Sequence, residues 1–272
     1  MRGSHVVTPA SLPTLSIVSL SFNQARFLAD CVDSVAAQKA EGVEYIVVDP
    51  GSSDGSREIL QGRIQDIDSL ILEPDNGPAD GLNRGFSRAT GELFGYINAD
   101  DRLAPGAIRF VRGYFASHPS VDVLCGSLRI IDEHGRSSIR ARTSDRFDVR
   151  RYAARLCNIA QQATFFRRRA FDLVGGFNPG NRVAWDGELL ADLALAHARF
   201  ANVRKVLGEF RVYRGTISSS EGYLAKLDTY YLGVEKKLRD RGIEPYTPTA
   251  RTLGKLAYKL NLWRYAECLL VR

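Results

Sequence analysis

Four short apolar runs, each separated from the next by a helical pattern, lie in the first hundred residues: Leu15–Leu20, Tyr45–Val48, Leu70–Leu72 and Leu93–Ile97. The first alternates apolar and small residues. The second is continuously apolar, as a parallel strand covered on both faces requires. Between them Phe27, Leu28, Cys31, Val32, Val35 and Ala36 recur at helical spacing, then Ile59, Leu60 and Ile64, then Leu82 and Phe86 within a helical stretch from Ala79 to Ala89. Strand and helix in strict alternation leave few solutions. A parallel sheet with helices on its faces buries every apolar stripe at once, and this is a nucleotide-binding α/β pattern. No G-x-G-x-x-G follows the first strand, so the dinucleotide fingerprint is absent.

The fourth run ends in Asn98-Ala99-Asp100-Asp101. In open α/β sheets ligands bind at the carboxyl ends of the strands. Two adjacent carboxylates there repel each other unless a cation or a donor-rich ligand compensates them. A hard divalent ion, Mg²⁺ or Mn²⁺, held by one or two carboxylates and by substrate phosphates, would do so. Alternatively Asp100 or Asp101 caps the helix expected to start near Pro105.

Downstream, a helix is expected over Ala107–Ala116, a strand over Val121–Ile131, and a turn at Glu133-His134-Gly135 followed by a polar segment. The pattern then predicts a helix over Phe147–Leu156, a strand over Ala163–Phe166, and a helix over Arg169–Val174 closed by Gly175-Gly176. A helix over Asp186–Phe200 and a strand over Val203–Tyr213 follow, with two more helices from Glu221 onward, broken at Pro245 and Pro248. No run of eighteen apolar residues exists, and the N-terminus carries no apolar signal region. Met1-Arg2-Gly3-Ser4-His5 reads as an expression scar and carries no weight. The four cysteines (Cys31, Cys125, Cys157, Cys268) match no metal or redox spacing and read as reduced thiols of a cytoplasmic protein.

The net charge of +6 is uneven: from Gly222 to Arg272 there are ten Lys/Arg against five Asp/Glu, leaving the other 221 residues at +1. A near-neutral body without a basic, aromatic-interleaved stripe argues against nucleic acid, and a basic tail suits an anionic surface. In that tail Leu253, Leu256, Ala257, Leu260 and Trp263 share one helical stripe, with Arg251, Lys255 and Lys259 beside it. The stripe suits peripheral contact with the inner face of a membrane; it equally suits packing on the body or self-association, and Cys268, Leu269 and Leu270 widen it in that direction.

With these pieces in order, the chain resembles the inverting family 2 glycosyltransferases of the GT-A fold, over roughly residues 13–220. Five blocks carry the resemblance: Leu15–Asn23; Val47-Val48-Asp49-Pro50-Gly51-Ser52-Ser53-Asp54-Gly55; Asp75-Asn76-Gly77 through Gly91-Glu92; Asn98-Ala99-Asp100-Asp101; and Gly175-Gly176-Phe177 with Trp185-Asp186. The subtype looks like enzymes of bacterial surface-polysaccharide assembly. The resemblance implies a nucleotide-sugar-binding half over residues 13–102, an acceptor and catalytic half over 103–220, and a helical extension over 221–272. It implies a UDP-sugar donor, a saccharide or lipid-linked saccharide acceptor, Mn²⁺ or Mg²⁺ as cofactor, and a hexosyl or N-acetylhexosaminyl group in transfer.

Residue by residue, the resemblance makes Asp100 the metal-binding carboxylate. Asn98 stands at the first position of the family's D-x-D motif, and Asp49 at the position that meets the uracil ring. Asp75 becomes a nucleotide contact and Asp186 the general base. Asp49 and Asp186 also fit as helix caps, and Asp54 with Ser52 and Ser53 reads more simply as a cap. Glu188 is the second candidate for the base and otherwise an acceptor or sugar contact, and Trp185 either stacks on a sugar or belongs to the core. Arg167-Arg168-Arg169 reads as a solvated basic face rather than a diphosphate contact. Three positions depart from the family pattern: Pro50 replaces a second acid, Tyr213 stands where a metal-binding His is common, and Gln161-Gln162 where a His-Gln pair is frequent. A silent nucleotide-sugar-binding module and a nucleotidyltransferase are the alternatives. The second lacks its glycines, since Ser21-Phe22-Asn23-Gln24-Ala25-Arg26 follows the first strand.

Overall fold

The computed structural model describes residues 12–213 and 223–260. Met1–His5, Arg214–Ser218, Glu221, Trp263, Cys268, Leu269 and Leu270, on which sequence expectations rest, lie outside the described residues. Within the described residues one nine-stranded sheet carries the fold. Its first half is β1 (Leu15–Leu20), β2 (Val43–Val48), β3 (Ser69–Ile71) and β4 (Leu93–Asn98). The connecting helices are α1 (Ala25–Ala36), α2 (Ser56–Gly62) and α3 (Pro78–Arg88). All four strands run parallel in the order β3-β2-β1-β4. The order reverses between β1 and β4, which opens a crevice at their carboxyl ends, where Leu20 pairs with Asn98.

The second half comprises β5 (Arg102–Leu103), α4 (Ala107–Ser117), β6 (Val123–Ile131), β7 (Ser137–Thr143), α5 (Val149–Ala153), β8 (Thr164–Arg167), α6 (Arg168–Val174), α7 (Trp185–Leu195) and β9 (Phe200–Arg211). Strand β8 joins the halves antiparallel to both β4 and β6, and β9 runs parallel to β6. The tail adds α8 (Tyr223–Asp240) and α9 (Pro248–Leu260).

Alternate side chains of the strands feed two cores. On one face Leu15, Ile17, Tyr45, Val47, Leu93 and Ile97 meet the apolar stripes of α1 and α4. On the other Val18, Ile46, Val48, Phe94 and Tyr96 meet Leu82 and Phe86 of α3, Phe171 of α6 and Leu190 of α7. Gly95 is required here, because a Cβ on it would lie 2.6 Å from the Phe165 ring of the neighbouring strand. A third cluster ties Val234 and Leu238 of α8 to Tyr152, Ala191 and Leu195, so the tail shares a core with the body. Cys31, Cys125 and Cys157 are buried free thiols. No helix among the described residues is long and apolar enough to cross a membrane.

Several segments differ from the sequence reading, among them strand β5, which forms by pairing with β9. The polar stretch after Gly135 is strand β7, held by pairing with β6. The helix expected over Phe147–Leu156 is only Val149–Ala153, and that over Asp186–Phe200 stops at Leu195. Both stop signals are non-glycine residues in the left-handed region, Arg155 (φ 61°) and His197 (φ 62°).

Candidate active site

The crevice is built from loops that leave β1, β2 and β4. Asp49 follows β2 and is fully buried. One carboxylate oxygen accepts the Gly51 and Ser52 N–H groups (3.1 and 2.8 Å) and Arg57 Nε (3.2 Å). The other accepts the hydroxyls of Ser21 (2.9 Å) and Ser52 (2.6 Å). Burial alone would raise this carboxyl's pKa, but the bonds from Ser52, Ser21 and Gly51 outweigh it and hold it below its ordinary value. Asp54 braces two helix starts, accepting the Ala25 N–H of α1 (2.9 Å) and the Ser56 N–H of α2 (3.1 Å). Asp75 closes a turn by accepting the Gly77 N–H (2.8 Å) ahead of α3. Burial pushes its pKa up, and the Arg84 and Arg182 charges pull against that shift.

Asn98 ends β4 half-buried, and its side-chain amide makes no hydrogen bond among the described residues. Asp100 is also half-buried; its Oδ2 accepts the Tyr213 hydroxyl (3.0 Å), which in turn accepts Gln24 Nε2 (3.4 Å). Burial raises the Asp100 pKa, with the Tyr213 bond opposing. The adjacent Asp101 points the other way. It is buried and accepts Gln162 Nε2 (2.8 Å) and the Arg211 N–H (2.9 Å). Burial, reinforced by the Asp100 charge, drives its pKa well above the ordinary carboxylate range.

Beneath this loop lies Arg211, which is 1% exposed. Its guanidinium donates to the carbonyls of Asp100 (2.8 Å), Asp132 (3.2 Å) and Glu133 (3.3 Å) and to Asp30 Oδ2 (2.9 Å). The same group sits 4.7 Å from the centre of the Phe27 ring. Neither Arg211 nor Gln162 was singled out by the sequence reading as a support for this loop. Gln161 donates to the Tyr96 carbonyl (3.2 Å), linking the same short turn to β4.

Asp186 lies in the first turn of α7, whose N-cap is Ala184. It is therefore not the cap, and its carboxyl has no side-chain partner among the described residues. Its charge reaches three tyrosines, Tyr96 of β4, Tyr152 of α5 and Tyr230 of α8. Burial raises its pKa against the opposing N–H groups of the helix start. The recess is tight: a Cβ on Gly187 would lie 1.7 Å from the Tyr152 hydroxyl and 2.9 Å from that of Tyr230. These hydroxyls lie 3.1 Å apart. The two tyrosines were missed because nothing in sequence links α5 and α8 to Asp186.

Trp185 packs against the α3–α6–α7 core, and its buried indole N–H has no partner among the described residues. Glu188 is buried and braced by Asn178 (3.2 Å), Asn181 (2.7 Å) and Lys237 (2.7 Å). Burial would raise its pKa, but Lys237 and the two amides bring it below its ordinary value. Arg167 and Arg169 are largely spent on local carbonyls and on Asp122, and Arg168 on the Ala89 carbonyl. Among the described residues no three His, Cys, Asp or Glu side chains are grouped so as to hold a metal.

The sequence and the fold both have counterparts among known proteins. The glycosyl transferase family 2 profile matches residues 16–175. An uncharacterised glycosyltransferase of Mycobacterium tuberculosis is 30% identical over 207 residues, 74% of this chain and 76% of the relative. A PGL/p-HBAD biosynthesis glycosyltransferase of Mycobacterium bovis is 30% identical over 180 residues, 64% of this chain and 68% of the relative. Among solved structures, the mannosyltransferase PcManGT of Pyrobaculum calidifontis, in complex with GDP-Man and Mn²⁺, superposes with a TM-score of 0.64 at 17% identity, covering 97% of this chain and 75% of that one. Residues 1–349 of Staphylococcus aureus TarS, in complex with UDP-GlcNAc, superpose with a TM-score of 0.62 at 16% identity, covering 95% and 79%. Against the longer TarS chain the match spans 37% of that protein's length. The chain belongs to glycosyl transferase family 2, with the GT-A fold, and is a glycosyltransferase.

Proposed function

We propose that the chain transfers a hexosyl or N-acetylhexosaminyl group, with inversion, from a UDP-sugar to a saccharide acceptor, free or lipid-linked. Asp186 is the general base in this reading. The observation that carries it is the Asp186 carboxyl, without a side-chain partner among the described residues and beside Tyr96 of β4, the strand that leads through Asn98 to Asp100. Burial makes its carboxylate a stronger base than an exposed one. The acceptor hydroxyl gives its proton to Asp186 while its oxygen attacks the anomeric carbon. The bond from that carbon to the diphosphate breaks on the opposite face, and its electron pair leaves with the phosphate.

The donor lies across the crevice. Asp49, with Ser21 and Ser52, forms the base end, and Asp75 lines the edge beyond β3. Trp185 and Glu188 belong to the acceptor end, Glu188 by fixing the Asn178 and Asn181 loop. Asp100, with Asn98 beside it, would hold Mn²⁺ or Mg²⁺ through hard oxygens. One exposed-side carboxylate fits an ion whose remaining ligands are phosphates and water. When bound, such an ion neutralises charge on the departing diphosphate. Complexes of related folds with UDP-GlcNAc and with GDP-Man and Mn²⁺ support the donor and cofactor classes.

Helix α9 supports an acceptor at an anionic membrane surface. Its Gly254 faces Leu156, and Tyr258 donates to Asp145 (3.0 Å), while Leu253, Leu256 and Leu260 are 63, 56 and 67% exposed. A chain ending near Tyr246 should lose binding to anionic vesicles yet still cleave soluble donor; equal, negligible binding by both chains rejects the membrane contact.

The decisive experiment is hydrolysis of a panel of nucleotide sugars by the purified chain, with Mn²⁺ and with chelator. Metal-dependent cleavage of a UDP-sugar is expected. Binding without cleavage would favour a silent nucleotide-sugar-binding protein, a reading that draws on Tyr213 occupying the Asp100 carboxylate. Absence of both rejects the proposal.

A further inference from the structure

A cavity of about 440 Å³ opens between the loop 178–183 and α8. Asn178, Asn181 and Arg182 line it from the loop, and Lys226, Thr229 and Tyr230 from the helix. Arg182, Lys226 and Tyr230 lie beyond the residues 16–175 that match the family, so the family pattern does not supply this wall. The charges on it do not cancel. The carboxylate of Glu188, also on the wall, is consumed by Lys237 (2.7 Å) and the two asparagines, and Lys237 is shared with Asp192 (2.7 Å). Arg182 and Lys226 make no ion pair or hydrogen bond among the described residues. The acid whose charge Arg182 feels is Asp75, already engaged by the Gly77 N–H.

Two uncompensated cations facing one concavity repel each other until an anion joins them. Two such cations match phosphoryl oxygens rather than a neutral sugar ring. The floor is firm, because Val234 and Leu238 anchor α8 in a core with Tyr152 and Ala191. The cavity also leads somewhere. Tyr230 is on its wall and on the wall of the Asp186 recess, and Arg182 packs over Gly77 at the donor side.

We infer that this cavity is an acceptor subsite that binds a phosphoryl group carried by the saccharide acceptor, so that the acceptor's sugar hydroxyl is presented to Asp186. The inference rests on the reading of Asp186 as base. A soluble sugar phosphate and a lipid-linked sugar diphosphate share the chemistry, and the experiment separates them.

The full chain is saturated with UDP, which fills the donor's phosphate positions, and titrated calorimetrically with inorganic phosphate, with a hexose 1-phosphate, and with a prenyl-diphosphate-linked hexose in detergent micelles. Wild type is compared with Lys226→Arg, Lys226→Glu and Arg182→Gln. Lys226→Glu and Arg182→Gln should each weaken the phosphorylated sugars by about tenfold, and Lys226→Arg should keep wild-type affinity. Tighter binding of the prenyl diphosphate identifies the lipid-linked source; equal or tighter binding of the hexose 1-phosphate identifies the soluble one. Affinities equal in all four proteins, or no binding by wild type, overturn the subsite. Donor hydrolysis by wild type and by Asp186→Asn is measured in parallel. If hydrolysis depends on Asp186 while phosphate binding ignores residues 182 and 226, the subsite falls and the base stands. If phosphate binding follows the charges but Asp186→Asn hydrolyses as fast as wild type, the base reading falls and the acceptor role falls with it.

Discussion

Replacing Arg211 by methionine isolates the support beneath the Asp100 loop. Methionine keeps much of the buried stem and removes every donor. Two carbonyl oxygens lose their partner, those of Asp100 and Glu133, while that of Asp132 keeps the Gly135 N–H (3.0 Å). The fourth acceptor, Asp30, is 49% exposed at its side chain and is rehydrated, so its ion pair contributes little. Two carbonyls left short of a donor cost about 1 kcal/mol each, and loss of a buried cation beside Asp101 brings the total to about 3 kcal/mol. In a chain of this size that corresponds to a fall in Tm of about 8 °C. Urea unfolding of wild type, Arg211→Met and Asp30→Asn measures it, with Asp30→Asn expected within about 1 kcal/mol of wild type. Because the guanidinium also holds the Asp100 carbonyl, Mn²⁺-dependent donor binding should weaken in Arg211→Met even where the protein remains folded. An Arg211→Met protein within about 1 kcal/mol of wild type would refute the reasoning, since the carbonyls would then have found other partners.

Further outcomes are expected. Asp100→Ala should keep the fold and lower metal-dependent transfer on the order of a thousandfold, read in steady-state kinetics across a Mn²⁺ titration. Asp186→Asn should bind donor normally in a thermal-shift titration yet turn over far more slowly. It should also be more stable at neutral pH: the raised Asp186 pKa means a stability term that is full below the unfolded carboxyl's pKa and lost as pH rises through the folded one, a loss the amide does not suffer. For the same reason the acid limb of wild-type kcat should lie above the ordinary carboxylate range. Asp49→Asn should both weaken nucleotide binding and cost about 1–3 kcal/mol, because its new NH₂ faces groups that all donate; unchanged urea stability would show that the turn does not depend on the carboxylate.

The parallel half was legible in sequence because each of its strands declares itself within a few residues, and each ends at the crevice. Leu93–Asn98 and its acidic terminus needed no distant partner to be read. Legibility failed where structure is made by contact rather than by local pattern. Ser137–Thr143 is polar and becomes a strand only because β6 pairs with it. The helices that end at Ala153 and Leu195 carry no glycine or proline at the stop; Arg155 and His197 adopt a left-handed backbone there, which residue identity does not announce. The same division holds in the site. Asp49, Asp100 and Asp186 sit in recognisable blocks, but the opposite fates of neighbours Asp100 and Asp101 are decided by Gln162, Arg211 and Tyr213.

The separation of Asp101 from Arg211, 110 residues, has a consequence during synthesis. At about 5–20 residues per second, roughly 5–20 s pass between translation of the two. Throughout that interval β1 to β4 can pair, since their partners are already made, but the carboxylate destined for burial has no donor from β9 and stays hydrated. The ribosome-bound chain therefore holds a four-stranded parallel sheet with an unfinished rim. Donor affinity should appear as a late step, when residue 211 clears the exit tunnel, and not gradually as the sheet grows.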